Sequence, residues 1–281
     1  LALRMAVEAG LDLDSIEGTG PQGRIVKRDI EAAIAAAPPA QAAERAPSRL
    51  RSRREGMPEF EDVELSQMRR TIAKRLVQSK APVPHFYLTV EIGMDRVWES
   101  YRALSEDKSP VTINDIIIKA SALALGRHPE MNASFAGDHI RRYTRVHIGV
   151  AVALDEGLIT PVIRDADLKT LEEIANESRQ LAERARARKL QPHEYTGATF
   201  SVSNLGMMGI DEFAAVINPP EAAILAAGMV RQVPVADNGT VRIAYRMKAT
   251  LSIDHRVADG AMGARFLQTL RRLLENPLLM A

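Results

Sequence analysis

The chain has 281 residues, 46% of them hydrophobic, and a formal net charge of +1. That length and apolar content suffice for one sizeable core plus something small, while the balanced charge argues against a general attraction to nucleic acid or an anionic membrane. The absence of cysteine excludes disulfides, a cysteine nucleophile and thiolate-ligated metal; a single Trp and 4% aromatics argue against base stacking, and no uninterrupted apolar run reaches the length of a membrane span.

Residues 1–36 form a compact pattern. A short helix is predicted over 1–9, closed by Gly10. The glycine-rich turn Gly18-Thr19-Gly20-Pro21-Gln22-Gly23-Arg24 follows, and then a second helix from Lys27 to about Ala37 with Ile30, Ala33 and Ile34 on one face. The turn follows no strand and lacks the Lys-Ser/Thr ending of a phosphate loop, so its glycines are read as permitting a tight loop. Residues 37–58 are rich in Ala, Pro, Arg and Glu, with Arg49, Arg51, Arg53 and Arg54 in one stretch. They offer too little apolar surface to offset chain entropy and read as an extended, semi-stiff linker.

Residues 59–281 alternate helix and strand signals. Helices are predicted over 66–80, with Ser66 as N-cap, and over 112–127, 171–189 and 261–274. Strands are predicted over 85–92, 146–154, 158–163, 199–203, 222–227, 230–235 and 241–253, with Asp237-Asn238-Gly239 as a hairpin turn between the last two. This is the pattern of one mixed α/β layer domain.

The run Ser252-Ile253-Asp254-His255-Arg256-Val257-Ala258-Asp259-Gly260 sits between the last strand and the last helix. A histidine on a loop held by rigid elements is well placed to take and return a proton near neutral pH. By itself His-x-x-x-Asp is a weak signal, and a surface histidine followed by an N-cap aspartate is its plain alternative. Ser203 ends a strand before a glycine-containing loop and reads locally as a turn-capping serine. The other histidines, His128, His139, His147 and His193, show no metal-ligand spacing, so no metal site is expected; His85 is read as packing at a strand start.

Several blocks, in order, carry a resemblance: Met68 to Leu76, Pro84 to Tyr87, Gly157 to Ile163, Thr199 to Met207, Ile217 to Pro220 and Asp254 to Gly260. Through them residues 59–281 resemble the catalytic domain of dihydrolipoamide acyltransferases of 2-oxo acid dehydrogenase complexes, with a lean to the acetyl-transferring branch of the pyruvate complex. Residues 1–36 resemble the peripheral-subunit-binding domain of the same proteins, N-terminally truncated, through Gly18-Thr19-Gly20 and Gly23 to Asp29. The resemblance implies a chloramphenicol-acetyltransferase-like mixed-sheet sandwich preceded by a very small helical domain. It implies a homotrimer that builds a larger core, located in a bacterial cytoplasm or a mitochondrial matrix. It also implies a lipoyl group on an upstream domain outside residues 1–281, and coenzyme A as substrate.

In that scheme His255 is the base that makes a thiolate and Ser203, from a neighbouring subunit, stabilises the oxyanion. The His255 ring is expected to be held by its own backbone carbonyl. Asp259 is expected to bridge to an arginine, Arg75 first and Arg69 or Arg70 otherwise; its other reading is a direct orienter of His255. Arg24 and Arg4 are candidate contacts to acidic patches on the thiamine-dependent pyruvate decarboxylase or dihydrolipoamide dehydrogenase. Leu3 stands where relatives often carry another arginine. The competing readings are succinyl or branched-chain acyl transfer and a non-catalytic dehydrogenase-binding scaffold.

Overall fold

The computed structural model describes residues 5–6, 16–36, 58, 60–154 and 157–280. Its contacts divide into two compact units, 1–63 and 64–281. The predicted helix over 1–9 and the linker over 37–58 lie outside the described residues, apart from Met5, Ala6 and Pro58.

In the first unit, α1 (Lys27–Ala36) is the expected second helix. Asp29 in its first turn accepts from the Thr19 hydroxyl (2.6 Å), the Thr19 N–H (3.0 Å) and the Val26 N–H (2.9 Å). These bonds, the Thr19 hydroxyl foremost, hold its carboxyl below the usual range. A Cβ at Gly18 would stand 2.3 Å from the Gly23 carbonyl oxygen, so close backbone approach is what requires glycine there.

The second unit opens with α2 (Gln67–Lys80), capped by the Ser66 hydroxyl on the Arg69 N–H. Then come β1 (His85–Gly93), α3 (Asp95–Glu106), α4 (Ile113–Arg127), β2 (Ala133–Phe135), β3 (Ile140–Arg142), β4 (Ile148–Val150), β5 (Val152–Leu154), β6 (Gly157–Ile159) and β7 (Val162–Ile163). The chain continues with α5 (Leu171–Arg186), β8 (Phe200–Asn204), β9 (Ala223–Ala227), β10 (Arg231–Asp237), β11 (Thr240–Asp254) and α6 (Gly260–Glu275).

The main sheet has the order β1-β11-β9-β8-β4-β7, with β10 paired to β11. It is mixed: β4-β8 and β8-β9 are parallel, and the other pairs are antiparallel. The expected α/β mixed-sheet class is therefore met. The predicted strands over 146–154 and 158–163 divide into four, because β5 and β6 leave the sheet to pair with each other. The helix α3 and the β2-β3 hairpin were not predicted. The Asn238-Gly239 turn has φ of 48° and 81°, as a tight hairpin requires.

Thr112 and Asp115 cap α4 reciprocally. This helix is apolar almost all round, and Ile116, Ile117 and Ile118 are buried, which places it at the centre of the core. The sheet-facing side of α6 contributes Phe266, Leu270, Leu273 and Leu274, all fully buried. A Cβ at Gly263 would stand 2.3 Å from Ile253 Cδ1 and 2.9 Å from Leu88 Cδ1. That glycine lets α6 lie directly on β1 and β11, and it fixes the loop that joins β11 to α6.

Candidate active site

His255 follows the last residue of β11. The loop around it is tied at four points. Its N–H donates to the Pro84 carbonyl (3.0 Å), the Asp254 N–H donates to the Ala222 carbonyl (2.8 Å), and Val257 and Ala258 N–H groups return to the Asp254 carbonyl. The buried Asp254 side chain, 4% exposed, accepts from Arg256 Nε (2.9 Å to Oδ1), Arg256 Nη2 (2.7 Å to Oδ2) and the Arg256 N–H (3.0 Å). The Arg256 guanidinium also lies 4.1 Å from the centroid of Phe135, a cation–π contact supplied by the unpredicted β2-β3 hairpin.

The His255 side chain is exposed, and the edge of Phe86 meets it with ring centroids 5.3 Å apart at 79°. The ring makes no hydrogen bond with another described residue. Asp259 does not orient it either. The Asp259 carboxylate is the N-cap of α6 and accepts from the Met262 N–H (2.9 Å).

Among the described residues Asp259 has no ion pair with Arg75, Arg69 or Arg70. Arg75 projects instead into a cavity of about 270 Å³ shared with Gln78, Tyr195, Asn218 and Glu221. The arginine that anchors this loop within the chain is Arg256, through Asp254. The reason is proximity: two residues apart at a strand end, they close a bidentate pair that a long side chain on another helix would have to reach for.

Ser203 lies half-buried on β8. The next residue fixes the turn beyond it: Asn204 Oδ1 accepts from the Gly206 N–H (2.8 Å), and Asn204 Nδ2 donates to Asn114 Oδ1 (3.1 Å). Asn204 and Gly206 also border an apolar cleft of about 340 Å³ walled by Trp98, Met229 and Met247.

The strand register places Ser203 relative to His255. Ser203 is level with Ala226, and Ala226 with Thr250. His255 lies beyond the far end of β11, two strands away, so the separation is about 16 Å along the strands and about 10 Å across them. One chain therefore holds its serine and its histidine too far apart to act on one reacting carbon.

His85 is a packed residue: its Nδ1 faces the Val83 carbonyl (2.9 Å) and its Nε2 accepts from the Ile217 N–H (3.3 Å), which sets the neutral Nδ1–H tautomer. His147 is likewise structural, with Nδ1 accepting from the Asp165 N–H (3.0 Å) and burial lowering its pKa. Arg24 is exposed, and Arg4 lies outside the described residues. Sequence reasoning missed the Asp254–Arg256 pair and the buried Glu221; an aspartate and an arginine flanking the histidine were the available signal for the former.

The family model for 2-oxoacid dehydrogenases acyltransferase (catalytic domain) matches residues 57–281, and that for the e3 binding domain matches residues 1–31. The chain is 44% identical to the mitochondrial dihydrolipoyllysine-residue acetyltransferase component of the pyruvate dehydrogenase complex of Schizosaccharomyces pombe, over 99% of this chain and 60% of that one. It is 45% identical to the corresponding component of Rhizobium meliloti, over 99% and 67%. The chain thus spans about 60% of the length of the fission-yeast relative.

Among solved structures, an Azotobacter vinelandii dihydrolipoamide acetyltransferase studied for the catalytic roles of a serine, a histidine and an asparagine superposes with a TM-score of 0.76. It is 33% identical, with 79% of this chain and 94% of that one covered. The cubic core of a pyruvate dehydrogenase multienzyme complex gives 0.76 at 32% identity, covering 86% and 98%.

Proposed function

The chain belongs to the 2-oxoacid dehydrogenases acyltransferase family, and from that premise we propose that it transfers an acetyl group from a dihydrolipoyl thioester to coenzyme A, as the core component of a pyruvate dehydrogenase complex. The observation that carries this reading is the separation of Ser203 from His255, two strands apart and about 16 Å along them. Neither residue completes a site alone, and a closed ring of identical copies can bring the serine of one copy to the histidine of the next. The Azotobacter vinelandii protein supports the assignment. Its three named residues are a serine, a histidine and an asparagine with the sequence separations of Ser203, His255 and Asp259, the asparagine standing where this chain has an aspartate.

In this reading His255 takes the proton of the coenzyme A thiol and the thiolate attacks the thioester carbonyl. The Ser203 hydroxyl of the adjoining copy donates to the oxyanion that forms. Collapse of the intermediate breaks the bond to the dihydrolipoyl sulfur, which leaves as a thiolate and recovers the proton from His255. Asp259 acts through structure: as the N-cap of α6 it fixes the far side of the loop. Arg75, which has no ion pair among the described residues, is the candidate to pair with Asp259 of a neighbouring copy.

The finer assignments go with this proposal. The copies form trimers within a larger core, residues 1–36 are the peripheral-subunit-binding domain, 37–58 the linker and 59–281 the catalytic domain. Arg24 and Arg4 contact acidic patches on the pyruvate decarboxylase or dihydrolipoamide dehydrogenase components, and the lipoyl group is carried on another domain. The relatives are bacterial or mitochondrial, which supports a bacterial cytoplasm or a mitochondrial matrix as its location.

The test is coenzyme A thioester formation from acetyl-, succinyl- and branched-chain acyl-dihydrolipoamide, compared by kcat/KM. Preference for the acetyl donor is expected. Preference for another donor overturns the acetyl assignment, and no transfer from any of them overturns the enzyme reading.

A further inference from the structure

Glu221 is a carboxyl that the proposed chemistry does not use. It is 4% exposed and lies just before β9, in the floor of the cavity that Arg75 enters. One oxygen accepts from Asn218 Nδ2 (2.8 Å), while the other has no hydrogen-bond partner among the described residues. Ser201 Oγ on the adjacent strand β8 is buried and equally unpartnered. The two groups face each other closely enough for the serine to stabilise the carboxylate in part, without reaching hydrogen-bond geometry. Burial dominates and pushes the Glu221 carboxyl up to about 7. The other ionisable groups facing this cavity are Arg75 on α2, which forms no ion pair with Glu221, and Tyr195, before β8.

What makes the pair consequential is what its segment holds. Ala222, the next residue, accepts from the Asp254 N–H through its carbonyl (2.8 Å), and Asp254 adjoins His255. At the other end of the segment, the Ile217 N–H donates to His85 Nε2 (3.3 Å) and the Ile217 carbonyl accepts from Ser79 (2.5 Å). His85 follows Pro84, whose carbonyl accepts from the His255 N–H (3.0 Å). The two backbone bonds that tie the His255 loop to other segments thus lead back to residues 217–222.

We propose that Glu221 is a positioning residue for the His255 loop: in its protonated form it donates to Ser201 Oγ and braces residues 217–222, and loss of that proton to water loosens them. An unpaired buried carboxylate must then either draw in solvent or move, and either response disturbs the Ala222–Asp254 and Ile217–His85 bonds. The functional half of this inference rests on the reading of His255 as the base; the structural half does not.

The experiment uses the full chain in its native assembly, with Glu221→Gln, which keeps a donor at every pH, and Ser201→Ala. Infrared titration is expected to show a protonated carboxyl band in the wild type that disappears with a midpoint of about 7, is absent from Glu221→Gln and is displaced in Ser201→Ala. Amide hydrogen exchange, corrected for its intrinsic pH dependence, is expected to rise for residues 217–222 and 254–257 across the same range in the wild type and to stay level in Glu221→Gln. At about pH 8 only about a tenth of such a group keeps its proton, so the wild-type kcat relative to that of Glu221→Gln should fall by up to about tenfold between about pH 6 and pH 8, with KM little changed.

Absence of the band at about pH 6, or parallel exchange profiles for the two proteins, overturns the proposal. Flat exchange in Glu221→Gln combined with parallel rate profiles overturns only its link to catalysis. If Glu221→Gln does not fold, the wild-type band, its displacement in Ser201→Ala and the wild-type exchange profile decide the matter.

Discussion

If the serine of one copy serves the histidine of the next, two inactive variants should restore each other. His255→Ala removes the base, at a cost of about 10²- to 10⁴-fold in rate. Ser203→Ala removes an oxyanion donor, at about 10²- to 10³-fold in kcat with a small change in coenzyme A affinity. The magnitude for the mixture follows from geometry. With about 16 Å along the strands and about 10 Å across them separating the two side chains in one chain, a site draws each from a different copy. In a closed ring assembled at random from equal amounts of the two variants, half the histidine donors and half the serine donors are intact, so about a quarter of the sites receive both. Co-expression of differently tagged chains, purification of mixed assemblies and a coenzyme A thioester assay should therefore give about a quarter of wild-type activity. Wild type mixed equally with the double variant should also give about a quarter, whereas a site contained in one chain would leave about half. Activity at the single-variant level in verified mixed assemblies would refute the shared-site argument.

Further outcomes follow from the loop, the core and the small unit. Asp254→Ala leaves Arg256 without its carboxylate; because the Arg256 side chain is 31% exposed and can rehydrate, the loss in denaturant-measured stability should be about 1–3 kcal/mol, accompanied by a fall in transfer rate, and unchanged values for both would show the pair to be incidental. Phe266→Ala empties a fully buried position beside Phe200, whose ring centroid is 5.6 Å away, and should cost about 3–5 kcal/mol by urea unfolding. Asp29 has a folded pKa held below its unfolded value, so its contribution is present above the unfolded pKa and lost as pH falls through the folded one; circular dichroism of a peptide of residues 1–36 should show acid unfolding that Asp29→Asn abolishes. Arg24→Glu should weaken binding to an acidic partner enzyme, more at low salt than at high salt, and calorimetric affinities that do not change would place docking elsewhere.

Local chemistry fixed a good part of this protein. The Ser66 cap, the Thr112–Asp115 box, the Asn238-Gly239 turn and the apolar run through Ile116–Ile118 each act within a few residues, so period and capping rules located α2, α4, the β10-β11 hairpin and the strand-to-helix junction at His255. The ordered blocks from Met68 to Gly260 carried the family by resemblance. The sheet's departures from expectation are all non-local. Whether 146–163 makes two strands or four depended on β5 finding β6 instead of the sheet edge; the three-residue strands β2 and β3 are too short to show a period, and Phe135 gains its role only by meeting Arg256. Pattern could not assign the roles of the acidic residues either, because a carboxylate's partner is chosen by distance. Asp254 took the arginine, Asp259 took the helix N-terminus, and Glu221, in a sequence of ordinary look, was buried by the packing of β8 and β9 without a full set of partners. The separation of Ser203 from His255 was likewise decided by strand order and register alone, because contacts between residues far apart in sequence are set by how the chain returns on itself.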